Sequence, residues 1–396
     1  MRGVERSWHR IGEARRPAYI LIAVLGLAAV AATLGLSFIN ANSTVIPQAV
    51  NRYRGTRARY LAESGIAIAR HYLVYPPATV AVGSFWTGAA GIAIDSTMDF
   101  TNVTIVQDAA DSNQYIIAAT GVAHDFDGVT VVGKHSITAS VLLPAPPTWS
   151  IPYAYLATST VAIPATAVIK GNIHSNASLF GQGTCQGNVS ATGTATWFGG
   201  GPPASVTSKV SAFNAPAVDP SAYANYRLNG HRYTAYNYTK TDMGDLDAAA
   251  LDTVDMSATN PGRIIRVPAG AFKLKKNVQL TGTLLVSGDL LVDNSNVQLA
   301  AVDGFPALVV SGSIRSLKKD ASLTVTGSVL CGGAIDDGGT IVNLDVKGSL
   351  VCGMGFSTTG NNDVFVFQWS ATRSQFLDVT NTVIPDPITL LSWKEN

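Results

Sequence analysis

The sequence predicts a mainly β protein with one long N-terminal α-helix, then an antiparallel meander, then a parallel β-helix, or solenoid. Three observations carry that expectation. Residues 17–39 form an apolar run without a charge. Three β-branched stretches separated by Asp, Asn and Gly lie between residues 99 and 144. Beyond them the pattern Leu-x-Val-x-Gly-x-apolar keeps returning in one phase, as in LLVSGDLLV (284–292) and LVVSGSIRS (308–316). Composition agrees. Only 13% of the 396 residues are charged, and 27 basic side chains face 26 acidic ones, so no broad electrostatic footprint for nucleic acid exists. The 37 glycines lack a three-residue period, which excludes collagen, and three cysteines are too few for a disulfide framework.

Residues 1–16 read as a basic cytoplasmic leader and 17–39 as a transmembrane helix. As a helix the run spans roughly 35 Å, enough for a hydrocarbon core of about 30 Å. It is longer than the apolar part of a secretory signal, although Ala41-Asn42-Ser43 would pass as a cleavage site. Arg2, Arg6, Arg10, Arg15 and Arg16 before the run favour an inside N-terminus. Residues 40–75 continue as a helical spine, with Pro47 expected to kink or break the path. Tyr53, Tyr60, Leu61, Gly65, Ile68 and Tyr72 recur at helical spacing and read as one packing stripe.

The block ARYLAESGIAIA (58–69), after a basic leader and an apolar helix, resembles the N-terminal region of type IV pilin-like proteins, specifically the PilX-type minor pilins. The resemblance covers roughly residues 12–75. It implies a helix that is half membrane anchor and half spine, packed after processing against other pilin-like subunits. It also implies a leader-processing junction at Arg16, Pro17 and Ala18. Pro17 stands where the family usually has glycine, and Ile22 where many pilins carry glutamate.

Residues 76–147 are expected to form the pilin-like antiparallel region, opened by Pro76-Pro77, which end the helix. The resemblance supports a helix laid across one face of this meander. His124, Asp125 and Asp127 share one turn and read as turn chemistry rather than a metal site.

PAPPT (144–148) reads as a linker, and residues 148–378 as the solenoid. Gly171, Gly187, Gly288, Gly312, Gly327 and Gly348 mark its rungs, with the last four 24, 15 and 21 residues apart. Alternation within each rung means one buried face, and a lone rung cannot bury it without neighbours. Leu284, Val286, Leu290 and Val292 should point inward, and the glycine with them. Residues 199–262, rich in Pro, Asn, Tyr and Gly, read as an insertion over the solenoid, and 379–396 as a C-terminal tail. Such rungs after a PilX-type start also resemble the C-terminal halves of some such proteins.

Cys331 and Cys352 each follow a rung glycine by four residues, so stacking would bring them together. Core packing and a disulfide are both open. Cys185 reads as core. Asp242, Asp245 and Asp247 lack the glycine and glutamate of a calcium loop. Glutamate is absent between residues 63 and 395, and no Gly-x-Ser-x-Gly, His-Glu-x-x-His or phosphate loop occurs. No catalytic, cofactor or metal site is therefore expected, and an enzyme is not. The favoured expectation is an inner-membrane-anchored minor-pilin-like component of a type IV pilus or pseudopilus. It would display its solenoid in the periplasm or outside, for adhesion or assembly. The alternative is a stand-alone envelope protein whose solenoid binds surface polysaccharide or protein; a polysaccharide-active enzyme comes third.

Overall fold

The computed structural model describes residues 9–95, 97–125, 127–143, 147–293, 296–318, 321–336, 342–357, 364–378 and 388–395. The linker at 144–146, the turn at 337–339 and most of the tail, at 379–387, lie outside them.

A single helix, α1 (His9–Val74), runs for 66 residues. The break expected at residue 47 does not occur. A proline removes one N–H, whereas helix is favoured on both sides and the later part is held by tertiary packing. α1 ends just before Pro76-Pro77, where the Tyr75 N–H still donates to His71 O at 2.7 Å.

Strands β1 (Gly88–Ala93), β2 (Phe100–Gln107), β3 (Gln114–His124) and β4 (Val131–Leu142) form the meander, each pair antiparallel. The residues expected to be a tail add a fifth strand. Thr389–Glu395 pairs antiparallel with β4 as the sheet's edge strand. Ile105, Ile117, Ala119, Ile137, Ala139 and Val141 alternate onto the face under α1, as a half-buried sheet requires.

Most of the rest is a coil of parallel strands, with Thr148–Ser150 and Gln375–Leu377 forming a separate antiparallel pair beside it. From residue 279 the chain visits three sheets in fixed order: Gln279–Thr281, Thr283–Val286, Leu290–Val292, and then again from Val297–Ala300. Leu284, Val286, Leu290 and Val292 point inward into one continuous core with Phe272, Val310, Ile335, Phe365 and Phe367.

The rungs are not stacked in chain order. The central sheet has ten strands. The chain enters it in the middle at Tyr155–Ala157 and climbs to one end through Ile173–Ser175, Asn188–Ala191 and Ser205–Thr207. It then passes to the opposite end at Tyr236–Asn237. From there it winds back until Leu350–Cys352 pairs with Tyr155–Ala157. Each rung presents the same kind of parallel edge, so stacking follows register rather than proximity along the chain.

This order corrects the bounds of the insertion. Ser205–Thr207, Tyr236–Asn237 and Asp242–Met243 are rungs, and only residues 208–235 lie outside the coil as a connector. The helix Asp245–Asp252 closes the far end, its Ala248 and Leu251 joining the core. The connector covers the outer face of the central sheet. Leu285, Val309, Leu330 and Val351 alternate away from the core and are buried against a cluster that includes Tyr223, Tyr226 and Phe305.

The rung glycines occupy two corners rather than one. Leu284 is opposite Leu308, Leu308 opposite Val329 and Val329 opposite Leu350, so these turns are 24, 21 and 21 residues long. Gly288 and Gly312 follow the central strand, whereas Gly171, Gly187, Gly327 and Gly348 precede it. The anomalous 15-residue spacing joined one corner to the other. Both corners demand glycine because backbone passes directly beneath. A Cβ on Gly288 would lie 2.2 Å from Gly270 O, and one on Gly348, at φ +158°, would lie 2.3 Å from Gly327 O. At Gly327 the clash would be with Ala301 Cβ at 2.6 Å and the core residue Ala307 at 3.1 Å, so the glycines serve the turns and some of them also border the core.

Candidate anchor and assembly helix

The two halves of α1 have opposite surroundings. In the first, an 18-residue window has mean hydropathy 2.4 and is 0% buried, long and apolar enough to cross a bilayer. Leu27 is 74% exposed and Phe38 69%. Such a surface on a monomer calls for lipid or protein cover. The candidate junction Arg16, Pro17 and Ala18 lies within the helical backbone, and its side chains are outside the described residues.

In the second half the helix sits on the meander, and its stripe differs from the expected one. Ala58, Leu61, Ala62, Gly65, Ile66, Ala69 and Leu73 are buried, whereas Ile68 and Tyr72 are half-buried and Tyr53 and Tyr60 exposed. Leu61 and Gly65 belong to the seat; the tyrosines Tyr53 and Tyr60 do not. Small residues win this face because the backbones approach closely. A Cβ on Gly121 of β3 would lie 2.0 Å from Ala58 O, and one on Gly65 would lie 2.5 Å from Thr101 Oγ1.

Arginines pin the seat at the end nearer the apolar half of α1. Arg54 pairs with Asp125, and Arg57 pairs with the buried Asp99 and, at 3.2 Å, with Asp95. Asp99 also accepts the His124 N–H at 2.6 Å. Hydrogen bonding to Tyr53 and the carboxylates of Asp99 and Asp95 raise the Arg57 pKa against its burial. Arg59 reaches Glu63 at 3.0 Å and Glu395 of the last strand at 2.8 Å. Between helix and turns lies a groove of about 690 Å³ lined by Val50, Tyr53, Met98 and Ala123 among others. Asp127 accepts from the Thr130 hydroxyl and N–H and the Val129 N–H, bonds that lower its pKa to about 2. His124, Asp125 and Asp127 are thus engaged in pairing and turn-making.

The connector ties the coil to the other end of α1. Its hairpin, Asn225–Leu228 with His231–Thr234, places Arg227 3.2 Å from Val74 O and over the Tyr75 ring at 5.2 Å. Gly83 and Ser84 pair with Arg232 through their backbones, and the Tyr115 hydroxyl donates to Asn229 O. The part outside the coil is therefore a strut between helix, meander and coil, which nothing in its composition announced.

The candidate disulfide is not formed. Cys331 and Cys352 stand opposite each other in adjacent strands as free, buried thiols, and Cys185 is free as well. Their thiols donate instead to corner carbonyls, Cys331 to Gly312 at 3.4 Å and Cys352 to Gly333 at 3.3 Å. The adjoining Cys352 side chain, and then burial, hold the Cys331 pKa well above its ordinary value. Asp242 pairs with Lys275 at 2.9 Å, and Asp247 with Lys240 at 2.5 Å. No His, Cys, Asp and Glu grouping fit for a metal ion occurs among the described residues.

No protein-family model and no curated protein matches this chain. Among solved structures it is similar to the competence-associated pilin ComZ from Thermus thermophilus, at 11% identity and a TM-score of 0.28. The likeness covers 86% of this chain and 97% of that one. At that score it stands as an observation alone.

Proposed function

We propose that this chain is a membrane-anchored, exported structural protein, a minor-pilin-like component of a type IV pilus or pseudopilus. The observation that carries the reading is the division of one unbroken helix into a bare apolar half and a sheet-seated half. The bare half holds the chain in the membrane and is available to pack against like helices. The seated half sets the meander and, through the connector, a β-solenoid at a fixed distance outside. The resemblance of residues 12–75 to PilX-type proteins supports the same role. The activity is assembly and display, with the solenoid offered for adhesion or for contact with other subunits.

The test places a photo-crosslinking residue at Tyr53 or Tyr60, the exposed side of the seated helix, in the full-length protein in its native membrane. Adducts to other pilin-like subunits are expected. Membrane-embedded protein without any protein adduct contradicts assembly and leaves a stand-alone anchored solenoid.

A further inference from the structure

On the outer side of the central sheet, near the end of the stack that the connector leaves, three polar side chains form one chain of hydrogen bonds. Ser190 Oγ lies 2.9 Å from His174 Nδ1, and His174 Nε2 lies 3.0 Å from Asn176 Oδ1. The strands set the arrangement, for Ser190 is opposite His174 in adjacent rungs and Asn176 is two residues beyond His174.

The proton positions follow from the backbone of Phe213. Its N–H donates to Asn176 Oδ1 at 2.8 Å, and its carbonyl accepts from Asn176 Nδ2 at 2.8 Å. A backbone N–H and carbonyl cannot exchange roles, so the amide has one orientation. Asn176 Oδ1 is then an acceptor, and His174 Nε2 must carry the proton it receives. That leaves Nδ1 as the lone-pair nitrogen, and the Ser190 hydroxyl donates to it. The hydroxyl proton has a second acceptor in Ile173 O at 3.2 Å, farther than the imidazole. Burial lowers the His174 pKa against the Asn176 bond, which keeps the ring neutral near pH 7. Tyr153 stacks on the ring at 5.1 Å, and His174 is only 1% exposed.

A hydroxyl held by a neutral, tautomer-locked imidazole, itself oriented by a third group, is the arrangement that activates a serine nucleophile. The nucleophile is also reachable. Ser190 is half-buried, and Thr207, opposite it on the next and outermost strand, is exposed, as are Asn188 and Ser205. Thr207 supplies a hydroxyl donor about one strand spacing away, roughly 4.8 Å, on the open side.

We propose that Ser190 is an activated nucleophile that accepts acyl groups from uncharged carboxylic esters, with His174 as general base and Asn176 as the residue positioning it. Ser190 Oγ attacks the ester carbonyl carbon while its proton passes to His174 Nδ1. The ester C–O bond breaks, the departing alkoxide takes that proton and leaves as an alcohol, and the acyl group stays on Ser190. Water then attacks the acyl-serine, giving up a proton through His174 to Ser190 and releasing a carboxylic acid. Asn176 is a neutral orienter rather than a carboxylate, so it steadies the transient imidazolium less and turnover is slow. The site adds a chemical capacity to the displayed coil and does not depend on the anchor reading.

The test exposes the full-length protein in detergent micelles to a fluorophosphonate probe and maps adducts by mass spectrometry. Ser205, an exposed hydroxyl on the outermost strand, is the internal reference. Ser190 is expected to label about 100-fold faster than Ser205. The rate should fall as pH drops through the lowered His174 pKa, and His174→Gln should reduce Ser190 to the reference rate. Equal labelling of the two serines in the wild-type chain overturns the proposal. So does a folded His174→Gln protein that still labels at Ser190. If that variant does not fold, the wild-type ratio and its pH profile decide.

Discussion

Replacing Gly121 with alanine tests the seat of the helix. Gly121 lies in the central strand β3, with a φ outside the range that only glycine favours, so its backbone alone accepts any residue. Strand propensity alone would make alanine tolerable there. Geometry reverses the sign. The new Cβ would lie 2.0 Å from Ala58 O, 2.7 Å from Ala62 N and 2.8 Å from Leu61 Cβ, and two of those three atoms are helix backbone that no rotamer change can move aside. Relief means lifting α1 off the sheet where Ala58, Leu61, Ala62 and Ile66 are buried. Overpacking of this kind costs about 1–3 kcal/mol, a Tm decrease of ~2–12 °C for a domain of 150–250 residues. Gly55→Ala is the control. Its Cβ meets nothing within 4 Å on an exposed helical position, so it should gain about 0.5–1 kcal/mol. Thermal unfolding of both variants in the same detergent reads the two signs. A Gly121→Ala protein as stable as wild type would show that the helix does not rest where the packing places it.

Three further outcomes follow from the same packing. Leu330→Ala removes a fully buried side chain between the central sheet and the connector and should cost about 2–5 kcal/mol, whereas Thr324→Ala on the half-exposed polar face should stay within about 0.5 kcal/mol, as urea midpoints would show. Cys352→Val should cost less than about 1.5 kcal/mol, because Val310 and Val286 hold the equivalent inward position two and three rungs away; in the wild-type chain all three thiols should resist alkylation until denaturant is added. His174 has a folded pKa below its unfolded value, so the unfolded state binds the extra proton first. Stability should therefore be full above the ordinary histidine pKa, about 6.5, and fall as pH drops below it, a slope that His174→Gln should flatten.

Much of this architecture was legible because periodicity reports burial directly. The apolar run at 17–39, the helix through 73 and the three strands of the meander carry their own patterns. Inward positions such as Leu284 and Val286 could be assigned from alternation alone. The order of the rungs was not legible. Every rung offers the same edge, so the pairing of Leu350–Cys352 with Tyr155–Ala157, across nearly two hundred residues, leaves no local trace. A trace of the connector did exist. LLV, LVV, VLC and LVC are unbroken apolar triplets, the mark of strands buried on both faces, and alternation within the longer motif hid it. Bulky residues dominate the helical stripe in the sequence, yet Ala58, Ala62 and Ala69 join Gly65 in holding the seat, because close backbone approach selects small side chains. Six histidines scattered through the sequence gave no hint that register would set His174 beside Ser190.

The most direct measurement of the whole account is the fate of the full-length protein in intact cells, followed by protease treatment from outside the inner membrane and mass spectrometry of what remains. Carbonate-resistant membrane association is expected, with the coil digested from outside and a protected fragment spanning residues 20–39. Recovery of soluble protein whose N-terminus lies near Thr44 would contradict the anchored reading.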